Sequence, residues 1–300
     1  MAVSSPSPVH HPGARVWNGG INNEGVELLS NDECAVPCDE IRPACFGGQD
    51  CIPSIDSPVW TTPDDTSELG YLVPEDRLVG LFWNGKARAY PLDALWTHEI
   101  VNDTWDGWEF SLTYCPLTAS GIVLDGIQGG EPTRFGVSGN LYNANLVPYS
   151  RTTGSLFGQM RTLGFTGEDI ASPLTVAGAI DTTWENWVRM FPQTEVLADD
   201  VGIAGYPYGD YRTDHGDTFI TTNPLPDPLY PNKSFAIGVT LGGETVIYPF
   251  EEMQAEVGDV GLVQDEVGGV PVLVAFDANT QTAAVFSRTV DDTVREFEAE

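Results

Sequence analysis

Residues 78–115 read LVGLFWNGKARAYPLDALWTHEIVNDTWDGWEFSLTYC, and residues 236–277 read AIGVTLGGETVIYPFEEMQAEVGDVGLVQDEVGGVPVLVAFD. In both stretches a glycine turn separates two apolar runs, Tyr-Pro ends the second run, and another glycine turn follows. The matched residues are Gly80, Gly85, Tyr90, Pro91, Val101, Asp103 and Gly107 in the first stretch and Gly238, Gly243, Tyr248, Pro249, Val263, Asp265 and Gly269 in the second. Asn-Gly and Asp-Gly suit two-residue hairpin turns because these residues accept positive φ. The sequence therefore predicts two copies of one unit, each a hairpin, a short helix and a second hairpin.

The pattern along the whole chain predicts an α+β fold dominated by β-strands, with two pseudo-repeated lobes and few short helices. The predicted segments are a flexible N-terminal arm at residues 1–30, a Cys-rich loop segment at 31–57, a first lobe with the Cys115 motif at 58–200, a connecting loop at 201–233, and a second, degenerate lobe at 234–300. The connecting loop is dense in Tyr, Pro, Gly and Asp, which makes it a candidate cover for a site.

The clearest helix is predicted at residues 183–191. Thr182 and Glu185 have the spacing of a capping box, and apolar residues follow at i, i+3, i+4 and i+7. Pro192 ends the pattern. We expect the aromatic stripe of this helix to pack in the core.

The two copies differ at the residues that could carry chemistry. Cys115 falls opposite Asp277, and the stretch around His98 has no histidine counterpart. A duplication that keeps the turn residues and loses the reactive ones separates scaffold from chemistry. Any reactive site is therefore expected in the first copy.

The composition narrows the classes of function. The 300 residues include 13 Lys or Arg and 44 Asp or Glu, for a formal net charge of −31. So acidic a chain argues against nucleic-acid binding, which needs Lys and Arg to neutralise phosphates. It stays soluble in concentrated salt, so we expect a halophilic source; an acidic surface that binds cations is the alternative. No apolar run approaches the ~20 residues that span a bilayer, so no membrane span is expected.

Four of the five cysteines, Cys34, Cys38, Cys45 and Cys51, could close two disulfides in any of three pairings. Their spacing lacks the paired short intervals of common zinc sites, so disulfides are expected, with zinc as the alternative. Disulfides fit an oxidising compartment. The first residues, MAVSSPSPVHHPGARVWNGG, lack the basic and apolar regions of a signal peptide, so either the protein stays inside the cell or the given chain begins after processing.

Cys115 is left unpaired at the end of a predicted strand. Thr118 stands where the second cysteine of a Cys-x-x-Cys motif would be. A hydroxyl can hydrogen-bond a thiolate but cannot resolve a mixed disulfide, so redox turnover would need an external thiol. The alternative is a buried cysteine that serves only as a small hydrophobic residue.

His98 and Arg151 are the candidate partners of this thiol. If the second hairpin folds back, His98 could act on Cys115 as a base, a thiolate partner or a fellow metal ligand. A histidine held by neighbouring hydrogen bonds is the alternative. Arg151, placed near Cys115, would favour the thiolate by Coulomb attraction. An ion pair with one of the many carboxylates would also account for it.

Four stretches occur in order along the chain: YPLDALWTHEIVNDT, TYCPLTASG, FGVSGNLYNANLVPYSRTTGSLFGQ and TTWENWVRMFPQT. Over about residues 52–290 the chain resembles a bacterial and archaeal family known as domain of unknown function 3179. In that family the thiol motif usually reads Cys-Pro-Leu-Cys, and some members place selenocysteine there, which implies redox or soft-metal chemistry. Thr118 departs from the motif. Export signals and lipoprotein anchors are common in the family, which implies an extracellular or cell-surface location.

The resemblance implies one pocket built from the matching motifs. Its candidate catalytic residues are Cys115, His98, Thr118 and Arg151; its candidate binding residues are Glu99, Asn102, Asp103, Tyr142, Asn143, Asn145 and Gln159; its candidate metal ligands are Cys115 and His98. No cofactor follows from the sequence alone. If Cys115 and His98 converge, their thiolate and imidazole suit copper, with zinc left open.

Two hypotheses follow. The first is an exported protein with thiol-dependent redox or copper-binding chemistry at Cys115, aided by His98 and served by an external thiol or redox partner. The second is a non-enzymatic cell-surface or self-assembling protein, a homo-oligomer, that keeps the fold without dithiol chemistry. Thr118, the Cys-rich segment and the acidic surface are consistent with the second.

Overall fold

The computed structural model describes residues 15–16, 34–65, 69–128, 130–198, 205–216 and 230–299. The chain forms two compact units, residues 25–233 and residues 1–24 with 234–300. Strands dominate both units and short helices accompany them, which confirms the predicted β-dominated α+β class. The predicted N-terminal arm lies outside the described residues, apart from a two-residue strand at Arg15–Val16.

The larger unit contains the following long strands and helices: β1 Arg77–Trp83, β2 Lys86–Pro91, α1 Leu92–His98, β3 Ile100–Trp105, β4 Trp108–Cys115, β5 Ser120–Asp125, β6 Phe135–Tyr142, β7 Asn145–Ser150 and α2 Trp184–Met190. Its short strands are Ile41–Pro43, Trp60–Thr61, Ile127–Gln128, Glu131–Pro132, Phe157–Gly158, Leu163–Gly164, Val176–Ala177, Ile180–Thr183 and Glu195–Leu197, and its 3₁₀ helices are Cys38–Glu40 and Gly167–Asp169.

The smaller unit contains β8 Ala236–Leu241, β9 Glu244–Pro249, α3 Phe250–Val257, β10 Val260–Val267, β11 Val270–Asp277 and β12 Thr282–Ser287, followed by the short strands Thr289–Val290 and Thr293–Val294. The order is a hairpin, a helix directly after Tyr-Pro, and a three-stranded antiparallel meander. The elements from β1 to β5 follow the same order in the larger unit.

The hairpin turns form where the glycine pairs predicted them. Asn84 and Gly85 have φ of 49° and 77°, and Asp106 and Gly107 have φ of 48° and 85°. The corresponding glycines of the smaller unit have φ of 56° and 80° at residues 242–243, and 54° and 79° at residues 268–269. Positive φ at both central residues is the geometry that a two-residue hairpin turn requires.

One buried contact occurs at equivalent places in both units. The Tyr90 hydroxyl donates to the Asp103 carboxylate at 2.7 Å, and the Tyr248 hydroxyl donates to the Asp265 carboxylate at 3.0 Å. These four residues are among those that the two sequence stretches share. Each contact joins the first hairpin of a unit to the meander that follows, so the shared residues build the scaffold.

Helix α2 begins one residue later than its capping pattern predicts. The side chain of Thr183, not Thr182, accepts a hydrogen bond from the backbone N–H of Asn186. As predicted, the aromatic stripe packs in the core, where Trp187 is fully buried and its ring lies against Gly80. A Cβ at Gly80 would lie 2.3 Å from that ring, so only glycine fits there.

Two disulfides close the Cys-rich segment. They join Cys34 to Cys38 and Cys45 to Cys51, with Cα–Cα distances of 5.6 and 6.3 Å. Of the three possible pairings, the structure has the one that joins cysteines adjacent in the sequence. Because all four are bonded in disulfides, they do not form a zinc site. Among the described residues, no helix has the length and apolar character needed to cross a membrane.

Candidate functional site

Cys115 is the last residue of β4 and the one cysteine outside a disulfide. Successive side chains of β4 face opposite ways, so Leu112 and Tyr114 enter one core cluster while Cys115 enters another, with Phe135 and Leu146. The residue is 1% exposed, and its thiol donates to the carbonyl oxygen of Ala144 at 3.6 Å. The thiol is therefore unbridged, as expected, and deeply buried.

Burial raises the pKa of the Cys115 thiol, and the negative charge of Glu99 raises it further. A hydrogen bond from the Thr118 hydroxyl and the backbone N–H groups of Thr118 and Leu117 act in the opposite direction, since they stabilise a thiolate. The net pKa is above the ordinary value, so the group is a protonated thiol at neutral pH in this conformation. Desolvation is the largest cause of this shift.

Glu99 carries a buried carboxyl group whose charge acts on this thiol. It caps the C-terminus of α1 in the left-handed conformation, with φ of 57°, and its carbonyl accepts the backbone N–H of Tyr114 at 2.7 Å. Its side chain is 7% exposed, and burial raises its pKa to about 8. The carboxyl has no hydrogen-bond partner among the described residues.

The backbone at Glu99 is strained for a residue with a side chain. In the smaller unit the helix at the same place, α3, is capped by Gly258, with φ of 81°. Glycine adopts positive φ without the steric cost that other residues incur there. A buried glutamate with positive φ, at a place where glycine would be more stable, is the kind of local strain that clusters at functional sites.

A polar network lies next to the thiol and contains three of the predicted residues. Asn145 donates to the Thr118 hydroxyl at 2.9 Å and to the Gln159 side-chain oxygen at 2.7 Å. Gln159 donates to Thr113 at 3.1 Å, and Ser120 donates to Gln159 at 2.9 Å. The structure therefore brings Thr118, Asn145 and Gln159 together around Cys115.

The hydroxyls of this network can point in two ways. Thr118 and Ser120 lie 2.8 Å apart, and either oxygen can donate to the other. When Ser120 donates to Gln159, the Thr118 hydrogen turns to Ser120. When Ser120 donates to Thr118, the Thr118 hydrogen is free to turn to the Cys115 sulfur, where it would stabilise a thiolate. The network can thus adapt to either protonation state of the thiol.

Residues 205–216, part of the predicted connecting loop, lie over the thiol motif. The Tyr206 hydroxyl donates to the carbonyl oxygen of Pro116 at 3.2 Å. The Tyr206 ring packs edge-on against Trp96 at 5.4 Å, and the Arg212 guanidinium lies over both rings, at 4.5 and 5.0 Å. Burial raises the pKa of Tyr208 to about 12, with Glu99 and Cys115 adding to the shift. We call residues 205–216 the cover segment.

His98 is the last residue of α1 and is half-buried. Its Nδ1 lies 2.7 Å from the carbonyl oxygen of Pro53, so Nδ1 carries the hydrogen and donates it. Such a hydrogen bond to a backbone carbonyl is the usual way in which a protein orients an imidazole that acts as a base or a ligand.

Arg151 forms the ion pair that the sequence left as its alternative role. Its guanidinium lies 2.9 Å from the Asp50 carboxylate and also donates to the Tyr149 hydroxyl at 2.9 Å. The charges that act on the pKa of Cys115 do not include Arg151. Its effect in the structure is to hold the loop of the Cys45–Cys51 disulfide through Asp50.

The other predicted residues have partners of their own. Asn102 donates to Asp56 at 2.6 Å and to the carbonyl oxygen of Phe135 at 2.8 Å. Besides Tyr90, the Asp103 carboxylate binds the Arg88 guanidinium at 2.7 Å. Tyr142 packs against the Phe165 ring, and Asn143 adopts a φ of 50° in the turn between β6 and β7.

Sequence reasoning missed Ser120, Ala144 and the two tyrosines of the cover segment as neighbours of the thiol. Ser120 was detectable, because a residue five positions after Cys115 pairs with it across a tight turn. Tyr206 and Tyr208 lie far along the chain, and no local pattern points to their place. Among the described residues, no group of three or more His, Cys, Asp or Glu side chains converges as a metal site.

Comparison with known proteins adds one match. The family model described as "Protein of unknown function (DUF3179)" matches residues 49–299, which is most of the chain. No curated protein and no solved structure has significant similarity to it.

Proposed function

The chain belongs to the DUF3179 family, and we propose that it is an exported thiol protein in which Cys115 is the reacting sulfur and Glu99 accepts its proton. The observation that carries the proposal is the pair itself. An unbridged, buried thiol is acted on by the charge of a buried carboxyl whose pKa is about 8. A proton acceptor is most effective when its pKa lies near the working pH.

The reaction we propose is thiol–disulfide exchange with a small external disulfide. The Cys115 sulfur bonds to one sulfur of that disulfide, the original S–S bond breaks, and the other half leaves as a thiolate. Near pH 8, where about half of the molecules have an ionised Glu99, the Cys115 proton passes to Glu99 and from there to the leaving thiolate. Because Thr118 cannot resolve the mixed disulfide, a second external thiol restores Cys115 by the same exchange.

Thr118 and its neighbours support this reaction by stabilising negative charge on sulfur. The Thr118 hydroxyl and two backbone N–H groups already lower the pKa of the buried thiol relative to burial alone. Exchange also requires the cover segment to open, since Cys115 is 1% exposed. Hydrogen bonds and ring contacts, with no covalent link, hold the segment over the motif.

The two disulfides support an oxidising, extracellular or cell-surface location for this chemistry. The net charge of −31 supports a halophilic source, in which the external thiol and disulfide would meet an acidic surface screened by salt.

Copper binding at Cys115, with His98 as the fellow ligand, is the second candidate, because thiolate and imidazole suit copper. A soft metal would displace the thiol proton, so binding should release one proton for each Cu(I) bound. Titration of the reduced protein with Cu(I) while proton release is followed separates this candidate from pure exchange, and His98→Gln should weaken binding at least tenfold.

The exchange reaction is tested with 4,4′-dithiodipyridine, a neutral disulfide that the acidic surface does not repel. The native chain should release one equivalent of coloured thiol, and the Cys115→Ser variant should release none. At pH 8 the Glu99→Gln variant should react about 100-fold more slowly, since a positioned base contributes at least that factor. The exposed Glu109→Gln change is the matched control and should leave the rate unchanged.

Two results would count against the proposal. Release of thiol only after unfolding would make Cys115 an inert core residue and favour the non-enzymatic, self-assembling alternative. A rate that rises in the Glu99→Gln variant would mean that Glu99 acts on the thiol only by its charge and accepts no proton.

A further inference from the structure

A cavity of about 330 Å³ opens beside β3, and the thiol site does not include it. Its floor is buried and already hydrogen-bonded, with Asn102 1% exposed, Asp103 4% and Arg88 8%. Asp56, Ser57, Thr104 and Arg134 are exposed at its rim, and the half-buried Trp60 forms one wall. The polar groups of the floor and rim can orient a small molecule, and Trp60 supplies one aromatic wall.

Charges balance around the cavity. Two carboxylates, Asp56 and Asp103, and two guanidinium groups, Arg88 and Arg134, border it. Arg88 is pinned between the Trp60 and Trp105 rings, at 4.2 and 4.6 Å, and pairs with Asp103 at 2.7 Å. A charged ligand of either sign would therefore meet a group of like charge at close range, and this repulsion would weaken its binding. A neutral ligand would avoid the repulsion.

The hydrogen-bonding capacity that remains is mixed. Arg88 donates through Nε to Glu195 and through Nη1 to Asp103, so most of its capacity is used within the protein. The Arg134 guanidinium makes one long contact, 3.5 Å, to the carbonyl oxygen of Asp56. Asp56 Oδ1 accepts from Asn102 and Ser54, whereas among the described residues the one partner of its Oδ2 is Arg151, at 3.9 Å.

We infer that this cavity binds a neutral polyhydroxylated ligand, a sugar ring. Each sugar hydroxyl both donates and accepts, so it can satisfy the open guanidinium donors and the Asp56 oxygen in turn. The hydroxyls of Ser57 and Thr104 at the rim supply both roles as well. The apolar C–H face of a ring can lie on Trp60, as apolar groups do on aromatic side chains. This inference does not rest on the proposed thiol chemistry.

The test is saturation-transfer NMR on the full chain with D-glucose, D-galactose and D-mannose, and with the charged analogues D-glucuronate and D-glucosamine. At least one neutral sugar should bind saturably, in the millimolar range. The charged analogues should bind with an affinity lower by about tenfold or more. The Thr104→Val and Arg134→Gln variants should each weaken binding of the neutral sugar several-fold, because each loses one hydrogen bond to the ligand.

Two controls make the assignment specific. Arg42→Gln removes an exposed arginine outside the cavity and should leave sugar binding unchanged. Cys115→Ser should also leave it unchanged. The inference is overturned if no neutral sugar binds, if a charged analogue binds as tightly as its neutral counterpart, or if either control weakens binding as much as Thr104→Val does.

Discussion

Tyr90 donates a hydrogen bond of 2.7 Å to the buried carboxylate of Asp103, and this link ties the first hairpin of the larger unit to its meander. The same link, at 3.0 Å, joins Tyr248 to Asp265 in the smaller unit, which has no cysteine and no histidine in the corresponding stretch. The Tyr–Asp hydrogen bond is thus present in a unit that lacks the candidate reactive residues. Its role is therefore the stability of each unit.

We expect Tyr90→Phe and Tyr248→Phe each to lower the free energy of unfolding by about 1–3 kcal/mol, because each leaves a buried carboxylate short of a donor. Urea unfolding of the two variants measures the loss. Tyr248→Phe should leave the reaction of Cys115 with a disulfide unchanged. A loss of that reaction with no loss of stability would contradict a purely structural role for the smaller unit's pair.

Glu99 should make stability depend on pH. Burial raises its pKa from 4.5 to about 8, so the folded chain holds a proton that the unfolded chain releases. This contribution to stability is complete below pH 4.5 and is lost as the pH rises to about 8. Relative to Glu99→Gln, the free energy of unfolding of the native sequence should fall by about 1.4 kcal/mol per pH unit between about pH 5 and 8.

Urea unfolding at several pH values in that window measures the difference between the two chains. Glutamine resembles the protonated acid, so the two should be equally stable near pH 4 and the variant more stable at pH 8. The exposed Glu109→Gln change should show no such slope. Parallel curves for the native chain and Glu99→Gln would mean that Glu99 is ionised in the folded state.

Thr118→Val should raise the pKa of Cys115 further, because it removes a hydroxyl that hydrogen-bonds the sulfur. A hydrogen bond to a charged group contributes about 1.5–3 kcal/mol, so alkylation of Cys115 at pH 8 should slow about tenfold or more. Thr118→Ser keeps the hydroxyl and should restore the rate. Thr152→Val, at an exposed threonine, is the control, and equal rates for the two valine variants would contradict the prediction.

Thr118→Cys should create a dithiol that closes on itself. The Thr118 side chain already lies within hydrogen-bond reach of the Cys115 sulfur, so a sulfur at that position is close to bonding distance. Mild oxidation should remove two hydrogen atoms from the intact chain, as seen by mass spectrometry, and exchange should no longer need an external thiol. The double variant with Cys115→Ser should show neither change.

Arg212→Gln should loosen the cover segment. The guanidinium lies over the Trp96 and Tyr206 rings, and a cation–π contact contributes about 0.5–1 kcal/mol at an exposed site, so alkylation of Cys115 should be about two- to fivefold faster. Arg42→Gln, far from the segment in sequence, is the control. An unchanged alkylation rate in Arg212→Gln would mean that the Tyr206 contact to Pro116 alone holds the segment closed.

The sequence predicts most of the scaffold because the decisive signals are local. Asn84-Gly85 and Asp106-Gly107 can turn only a few ways, and both form the expected turns. Periodicity placed helix α2 within a residue of its observed start. Pairing of the four N-terminal cysteines was not predictable, since it depends on which loops lie close together in space.

The site was predictable only where its members belong to one motif or to strands next to it. Thr118, Asn145 and Gln159 meet because β4 and β7 bring their ends together. The pKa of Glu99 depends on burial from several elements, which no local pattern reveals. The partner of Arg151 was equally hidden, because Asp50 is brought to it by a disulfide loop about 100 residues earlier in the chain.

The half-exposed bridge between Cys45 and Cys51 has a practical consequence at the bench. Any reductant added to a purification buffer to keep Cys115 unmodified would also attack this bridge and release the loop that carries Asp50. Samples stored with and without such an additive would then differ in two places at once. Peptide mapping of each batch would show whether the Cys45–Cys51 disulfide is intact or reduced.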